Sequence, residues 1–151
     1  MNHRVTARSG PFWDAVEGRA PIPRAASTLG FELLGADPDA GTLDVAFTAT
    51  EDFTTPLGEI LGGFLAAMLY DTVGPTLLAT LQPHEFISTL DLQTTFLRPA
   101  RPGRLLGRGR IVHRDDDLAV VQAVLVDGHE AEVAIATATL RVIEPGPSPV
   151  A

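Results

Sequence analysis

Cysteine and lysine are both absent from this chain of 151 residues. Without cysteine there is no disulfide, no thiol nucleophile and no thiolate metal site. Without lysine the positive charge rests on eleven arginines, and six of these lie between Arg98 and Arg114. The net charge of −8 argues against broad nucleic-acid binding. Long hydrophobic runs are missing too: the apolar stretch Ile60–Leu69 is cut by Asp71 and Pro75, short of a membrane span. No apolar region follows Met1-Asn2-His3-Arg4, so a cytoplasmic protein is expected. His3, His84, His113 and His129 are too scattered for metal-ligand spacing. Gly107-Arg108-Gly109 lacks the third glycine of a dinucleotide loop, and Gly62-Gly63 lacks the Lys-Ser or Lys-Thr of a phosphate loop. No resident cofactor or metal is expected.

What is present is a core of ordinary size for one domain, with 45% hydrophobic residues. Residues 1–25 read as an amino-terminal extension, loose over 1–9, with Phe12, Trp13 and Val16 on one side of a short helix that Gly18 stops. Trp13 reads as an anchor to the core. Residues 26–144 form the domain, and Pro145-Gly146-Pro147-Ser148-Pro149 opens a disordered tail over 145–151. The segment Ser27–Gly35 and the alternating Leu43, Val45 and Phe47 predict a β-hairpin. After residue 82 come four strand patterns: Phe86–Leu97 with Leu90, Leu92, Thr94 and Phe96 on one face, then Leu105–His113, Leu118–Val126 and Ala131–Ile143. Short turns between them predict an antiparallel meander, and Asp127-Gly128 is a strong hairpin signal.

Between the two groups of strands stands one helical candidate, about residues 61–80, apolar nearly all round and therefore buried on most sides. The order β-β-α-β-β-β-β predicts an α+β domain whose sheet wraps one long helix. Pro75 predicts a kink or break near Asp71–Pro75. The helix is entered through Gly62-Gly63, where backbone N–H groups without internal partners can polarise a carbonyl or hold an anion. Equally, a Gly-Gly step is a close-packing device. Asp71 must be paired, hydrogen-bonded or protonated if buried. It reads as a base or as a structural acid, and Tyr70 as a packed ring or a reacting hydroxyl. Thr89 has a hydroxyl able to orient water. Arg98, Arg101 and Arg104 are candidates for phosphate contacts or for a solvated turn.

Gly58-Glu59-Ile60-Leu61-Gly62-Gly63 with its apolar helix, the stretch Ser88–Pro99 and the closing Ala136-Thr137-Ala138-Thr139-Leu140 together resemble the hotdog-fold acyl-CoA thioesterases. Within them the likeness is to the group related to the phenylacetate-pathway thioesterase, over roughly residues 27–143. The resemblance implies a hotdog fold, self-association as a dimer or dimer of dimers, and hydrolysis of a small or medium acyl-CoA at a subunit interface, with coenzyme A entering as part of the substrate. It gives Gly63, and with it Gly62, the oxyanion role, places Thr89 on the water-orienting hydroxyl, and makes Arg98, Arg101 and Arg104 candidates for the coenzyme phosphates. The family's loop Asn falls on Thr55 and its His on Leu61. Its helix carboxylate, nine residues on from Leu61, falls on Tyr70, with Asp71 next to it. Asp71 and Tyr70 thus share the candidacy for the base, and Phe64, Met68 and Leu92 are candidates for an acyl pocket. A non-catalytic protein binding acyl-CoA or another apolar ligand is the alternative. No nucleic-acid or membrane partner is expected.

Overall fold

The computed structural model describes residues 8–145. The loose start and the disordered tail expected from sequence lie almost wholly outside these residues. Helix α1, Pro11–Val16, opens with proline in its first turn, and Gly18 ends the turn beyond it at φ 82°. Its Trp13 is only 1% exposed, as an anchor should be. A second short helix, α2, occupies Arg24–Thr28 and takes up the start of the segment that the sequence predicted as strand from Ser27. The strand starts later because Gly30, at φ 69°, turns the chain between them.

Strands β1 (Glu32–Asp37) and β2 (Thr42–Ala49) form the predicted hairpin. A single 3-10 turn at Glu51–Phe53 leads through a loop into α3, Gly62–Leu78. Strands β3 (Phe86–Phe96), β4 (Gly103–Asp115), β5 (Leu118–Val126) and β6 (Glu132–Ile143) complete one antiparallel sheet ordered β1-β2-β4-β5-β6-β3. The sheet with one long helix on it is the hotdog arrangement.

The simple four-strand meander is corrected. Only β4-β5-β6 follow one another. β3 sits at the far edge, paired with β6, and residues 97–102 cross back to β4 instead of making a hairpin. Pro99 and Pro102 keep this crossing extended and offer no ladder donors. It is tied down where Ile60 N–H donates to the Ala100 carbonyl at 2.8 Å, with Ala100 itself buried. A second correction concerns β3. Its register slips between Thr89 and Asp91, so Leu90 lies at a bulge, 47% exposed, while Leu92 and Thr94 are half-buried.

α3 lies against β2 to β6. Met68, Leu69, Val73 and Leu77 are fully buried there, and each contributes about 1.5–3 kcal/mol of hydrophobic stabilisation. The predicted break at Pro75 does not occur; the helix is continuous through it. Burial from all sides outweighs the missing N–H, and two threonine hydroxyls bond back within the helix, Thr72 to Met68 O at 2.8 Å and Thr76 to Thr72 O at 2.6 Å.

Those same threonines explain Gly107 and Gly109. A Cβ on Gly107 would press on Thr72 and on Val45, and one on Gly109 would collide with Thr76. The two glycines let the helix sit down on β4. Gly109→Ala is expected to lower unfolding stability by about 1–3 kcal/mol, the usual range for overpacking, measured by urea denaturation. An unchanged midpoint would mean that Thr76 yields freely.

Candidate active site

The loop before α3 is built to hold the helix entrance in place. Thr55 N–H donates to Glu59 O at 2.7 Å, Gly58 N–H to Thr55 O at 2.9 Å, and Leu57 N–H to the Thr55 hydroxyl at 3.3 Å. Thr55 therefore closes a turn. The Phe53 ring stacks on Phe64 with centroids 4.1 Å apart, clamping the loop to the first turn of the helix. Arg101 reaches the carbonyls of Leu57 and Gly58 at 3.2 and 3.4 Å.

At the entrance itself the N-cap is Leu61, 50% exposed, and no side chain caps the helix. Phe64 N–H finds Leu61 O at 2.9 Å, but no acceptor among the described residues takes the N–H groups of Gly62 and Gly63. Two donors at the positive end of a 17-residue helix are thus left for something else. The two glycines differ in their surroundings. The Phe96 ring covers Gly62, about where a Cβ would be, at 3.1 Å, whereas nothing lies within 4 Å of a Cβ on Gly63. Gly63 is the open position.

Further along, Gly63, Ala66, Ala67, Tyr70 and Gly74 share one side of the helix by their spacing. Tyr70 is 52% exposed and half-turns outward, while Gly74 is covered by Ile87. Asp71, one residue round the helix, is mostly buried; its Oδ2 has no hydrogen-bond partner among the described residues. Burial alone raises its pKa from 3.8 to about 6. That value suits a group exchanging a proton near neutral pH.

Asp71 and Tyr70 border a cavity of about 300 Å³. Its walls are largely apolar: Phe12, Trp13 and Val16 of α1, Phe31 before β1, and Phe86 and Ile87 of β3. The amino-terminal segment is held against the rest of the chain, since a Cβ on Gly10 would meet Pro83 Cα at 2.9 Å. Sequence reasoning missed this cavity; the apolar side of α1 was its one local signal. Of the side chains expected to line an acyl pocket, Phe64 is stacked on Phe53, Met68 is fully buried in the core, and Leu92 is half-buried on β3; none of the three borders the cavity.

Thr89 is half-buried on β3, two residues from Ile87 and beside the bulge, opposite Leu140. The three arginines do not come together. Arg104 on β4 pairs with Glu32 at 3.1 Å, Arg101 is occupied with the loop, and exposed Arg98 follows β3, with β5 and β6 between it and Arg104. No three His, Asp or Glu side chains among the described residues gather as a metal site.

The family model described as the acyl-CoA thioesterase N-terminal domain matches residues 50–141, which take in the helix entrance, α3 and all four later strands. Among solved structures, a phenylacetic acid degradation-related protein of Ralstonia eutropha JMP134 is 39% identical with a TM-score of 0.83, over 86% of this chain and 98% of that one. The PaaI protein of the E. coli phenylacetic acid degradation operon is 18% identical with a TM-score of 0.77, over 87% and 93% of the two chains. A thioesterase of Haemophilus influenzae is 17% identical with a TM-score of 0.79, over 95% and 98%. These last two likenesses bear on the fold. No curated protein matches the chain at a significant level. A family model spanning the helix and its sheet, joined to a close structural likeness over nearly the whole domain, places the chain in the acyl-CoA thioesterase family of the hotdog fold, in the group related to the phenylacetate-pathway thioesterase.

Proposed function

We propose that the protein hydrolyses an acyl-CoA thioester in a site assembled from two copies of the chain. The observation that carries this reading is the pair of unclaimed N–H groups at Gly62 and Gly63, together with a carboxyl of raised pKa on the same helix. Eight residues of helix separate Gly63 from Asp71, about 12 Å along the axis. One thioester carbonyl cannot touch both in a single chain. A second α3 running antiparallel beside the first would bring Gly63 of one copy to Asp71 of the other. Leu61, Tyr70 and Phe96, each at least 50% exposed, and the outer edge of β3, unpaired among the described residues, supply apolar surface and ladder donors for such a pairing.

In this reading Gly63 N–H, backed by Gly62, takes the charge that develops on the carbonyl oxygen. Asp71 accepts a proton from water held by the Thr89 hydroxyl. The water oxygen bonds to the carbonyl carbon, the C–S bond breaks, and the Asp71 proton passes to the departing sulfur. The products are a carboxylic acid and coenzyme A. Tyr70 stands at the mouth of the site. Arg98, exposed and with the Asp127 carboxylate near enough to feel its charge, is the remaining candidate for the coenzyme phosphates, and a coenzyme A substrate fits a cytoplasmic protein. Among the described residues no helix is long and apolar enough to cross a membrane.

The test is release of coenzyme A thiol from a panel of acyl-CoAs, with sedimentation to find the number of chains. Turnover by a dimer or larger assembly is expected, reduced at least about tenfold in Asp71→Asn and less in Thr89→Ala. Full activity in Asp71→Asn would remove Asp71 from the role. A second reading, binding without cleavage, draws on Tyr70 occupying the place of the family's carboxylate. Saturable acyl-CoA binding with no thiol released from any substrate would select it.

A further inference from the structure

The cavity beside Asp71 has walls that Asp71 and the helix entrance do not explain. Its lining combines aromatic and branched side chains from α1, the chain before β1 and the start of β3 with a short polar rim. Ser9 and Gln82 on that rim are uncharged. Among the described residues the ionisable groups that line it are Tyr70, Asp71 and Glu85; Arg8 is not in the lining, and its guanidinium lies over the ring of Trp13, 4.7 Å from the centroid. Glu85 is half-buried, and its Oε1 accepts the Gln82 N–H at 2.9 Å, which fixes the carboxylate on the rim. The cavity is therefore largely apolar inside, and the charged groups that line it among the described residues are acids.

We propose that this cavity is the acyl pocket and that it selects uncharged, apolar acyl groups while rejecting those that end in a carboxylate. The proposal rests on the thioesterase reading above, because Asp71 there stands beside the reacting carbonyl and so at the mouth of this cavity. An apolar tail gains by leaving water for Phe12, Trp13, Val16 and Ile87. A second carboxylate entering the same space finds no cation among the described lining residues, loses its hydration and approaches two acids, while Arg8 is engaged with the ring of Trp13. Discrimination of about 100-fold or more against it follows. The amino-terminal segment would thus set specificity, although it lies ahead of the stretch that the family model matches.

The pocket reports on itself, because Trp13 is the sole tryptophan of the chain and stands in its wall. Hexanoyl-CoA and adipoyl-CoA have acyl chains of equal carbon number and differ in the terminal group. The wild-type protein is expected to favour hexanoyl-CoA in kcat/KM by about 100-fold or more. Hexanoyl-CoA, and not coenzyme A alone, should change Trp13 emission. Val16→Phe, which fills the cavity from a half-buried position, should move the preferred chain length downward and weaken the emission change. Ile22→Phe, from a 40%-exposed position on the same wall, serves if Val16→Phe does not fold. Comparable turnover of the two substrates, or an unshifted length profile in a folded filling variant, would overturn the proposal while leaving hydrolysis itself intact. If no acyl-CoA is cleaved yet hexanoyl-CoA still changes Trp13 emission in a Val16-dependent way, the pocket stands and the hydrolytic reading falls.

Discussion

Gly63→Pro is expected to cut thioester hydrolysis by about 10²–10³-fold while leaving the melting temperature within a few degrees of wild type. The substitution deletes one atom group, the N–H proposed to face the developing oxyanion. Position 63 is the second residue of α3, where a helix has no internal acceptor for that N–H and tolerates proline. Space is available, since nothing lies within 4 Å of a Cβ there. The residue before it is Gly62, the type least troubled by a following proline. Gly63→Ala is the control, because it keeps the N–H and adds only the Cβ. Its helix should be slightly more stable, by up to about 1 kcal/mol. Loss of activity in the proline variant alone assigns the effect to the donor. Retained activity in Gly63→Pro would move the oxyanion site away from this helix entrance.

Asp71→Asn is expected to stabilise the fold at pH 8 by as much as about 3 kcal/mol, with the gain vanishing near pH 4 and below. The sign follows from the raised pKa. Unfolded, Asp71 titrates near its ordinary 3.8; folded, burial holds the proton until about 6. The folded protein therefore binds more protons between those values, and stability falls as pH rises through them. At about 1.4 kcal/mol per pH unit, the full separation amounts to about 3 kcal/mol above pH 6. Below pH 4 both forms are protonated and asparagine has no charge to spare. Urea denaturation of both proteins at pH 4 and pH 8 makes the comparison. Equal stability at pH 8 would show that the carboxylate is already solvated or paired in the assembled protein. A variant that is more stable and less active would be the expected signature of a group held in an unfavourable state for its chemistry.

Patterns of one face or one turn were readable in the sequence. Alternation at Leu43, Val45 and Phe47 placed β2, the nearly uniform apolarity of α3 predicted a helix buried on most sides, and Asp127-Gly128 marked the β5–β6 hairpin. Alternation says which way a side chain points but not which strand lies alongside, and so β3 was placed next to β4 rather than beyond β6. Gly107 and Gly109 could be seen to miss a nucleotide fingerprint, but their partners Thr72 and Thr76 are some thirty residues away in sequence. Proximity along the chain also misled at the arginines, since a crossing segment carries Arg98 and Arg104 to different parts of the sheet. The pocket needed four separated segments at once, more than any local pattern encodes. The helix entrance and Asp71 were legible because their chemistry is local: an uncapped Gly-Gly start, and one acid among apolar neighbours.

The position of β6 has a consequence for how the chain reaches this form. Among the described strands it comes last along the chain, yet it lies inside the sheet, between β5 and β3. Phe86 meets Ile143 across that ladder, so β3 emerges from the ribosome long before β6, its strand partner among the described residues, exists. Until residues 132–143 are released, the helix has an incomplete floor, and β3 carries two unpaired edges with Phe86, Leu90 and Phe96 in reach of other nascent chains. Pairing of such wide sequence separation is slow to form. Closure of the sheet is therefore a late event, and one that stalled or shortened synthesis would prevent altogether.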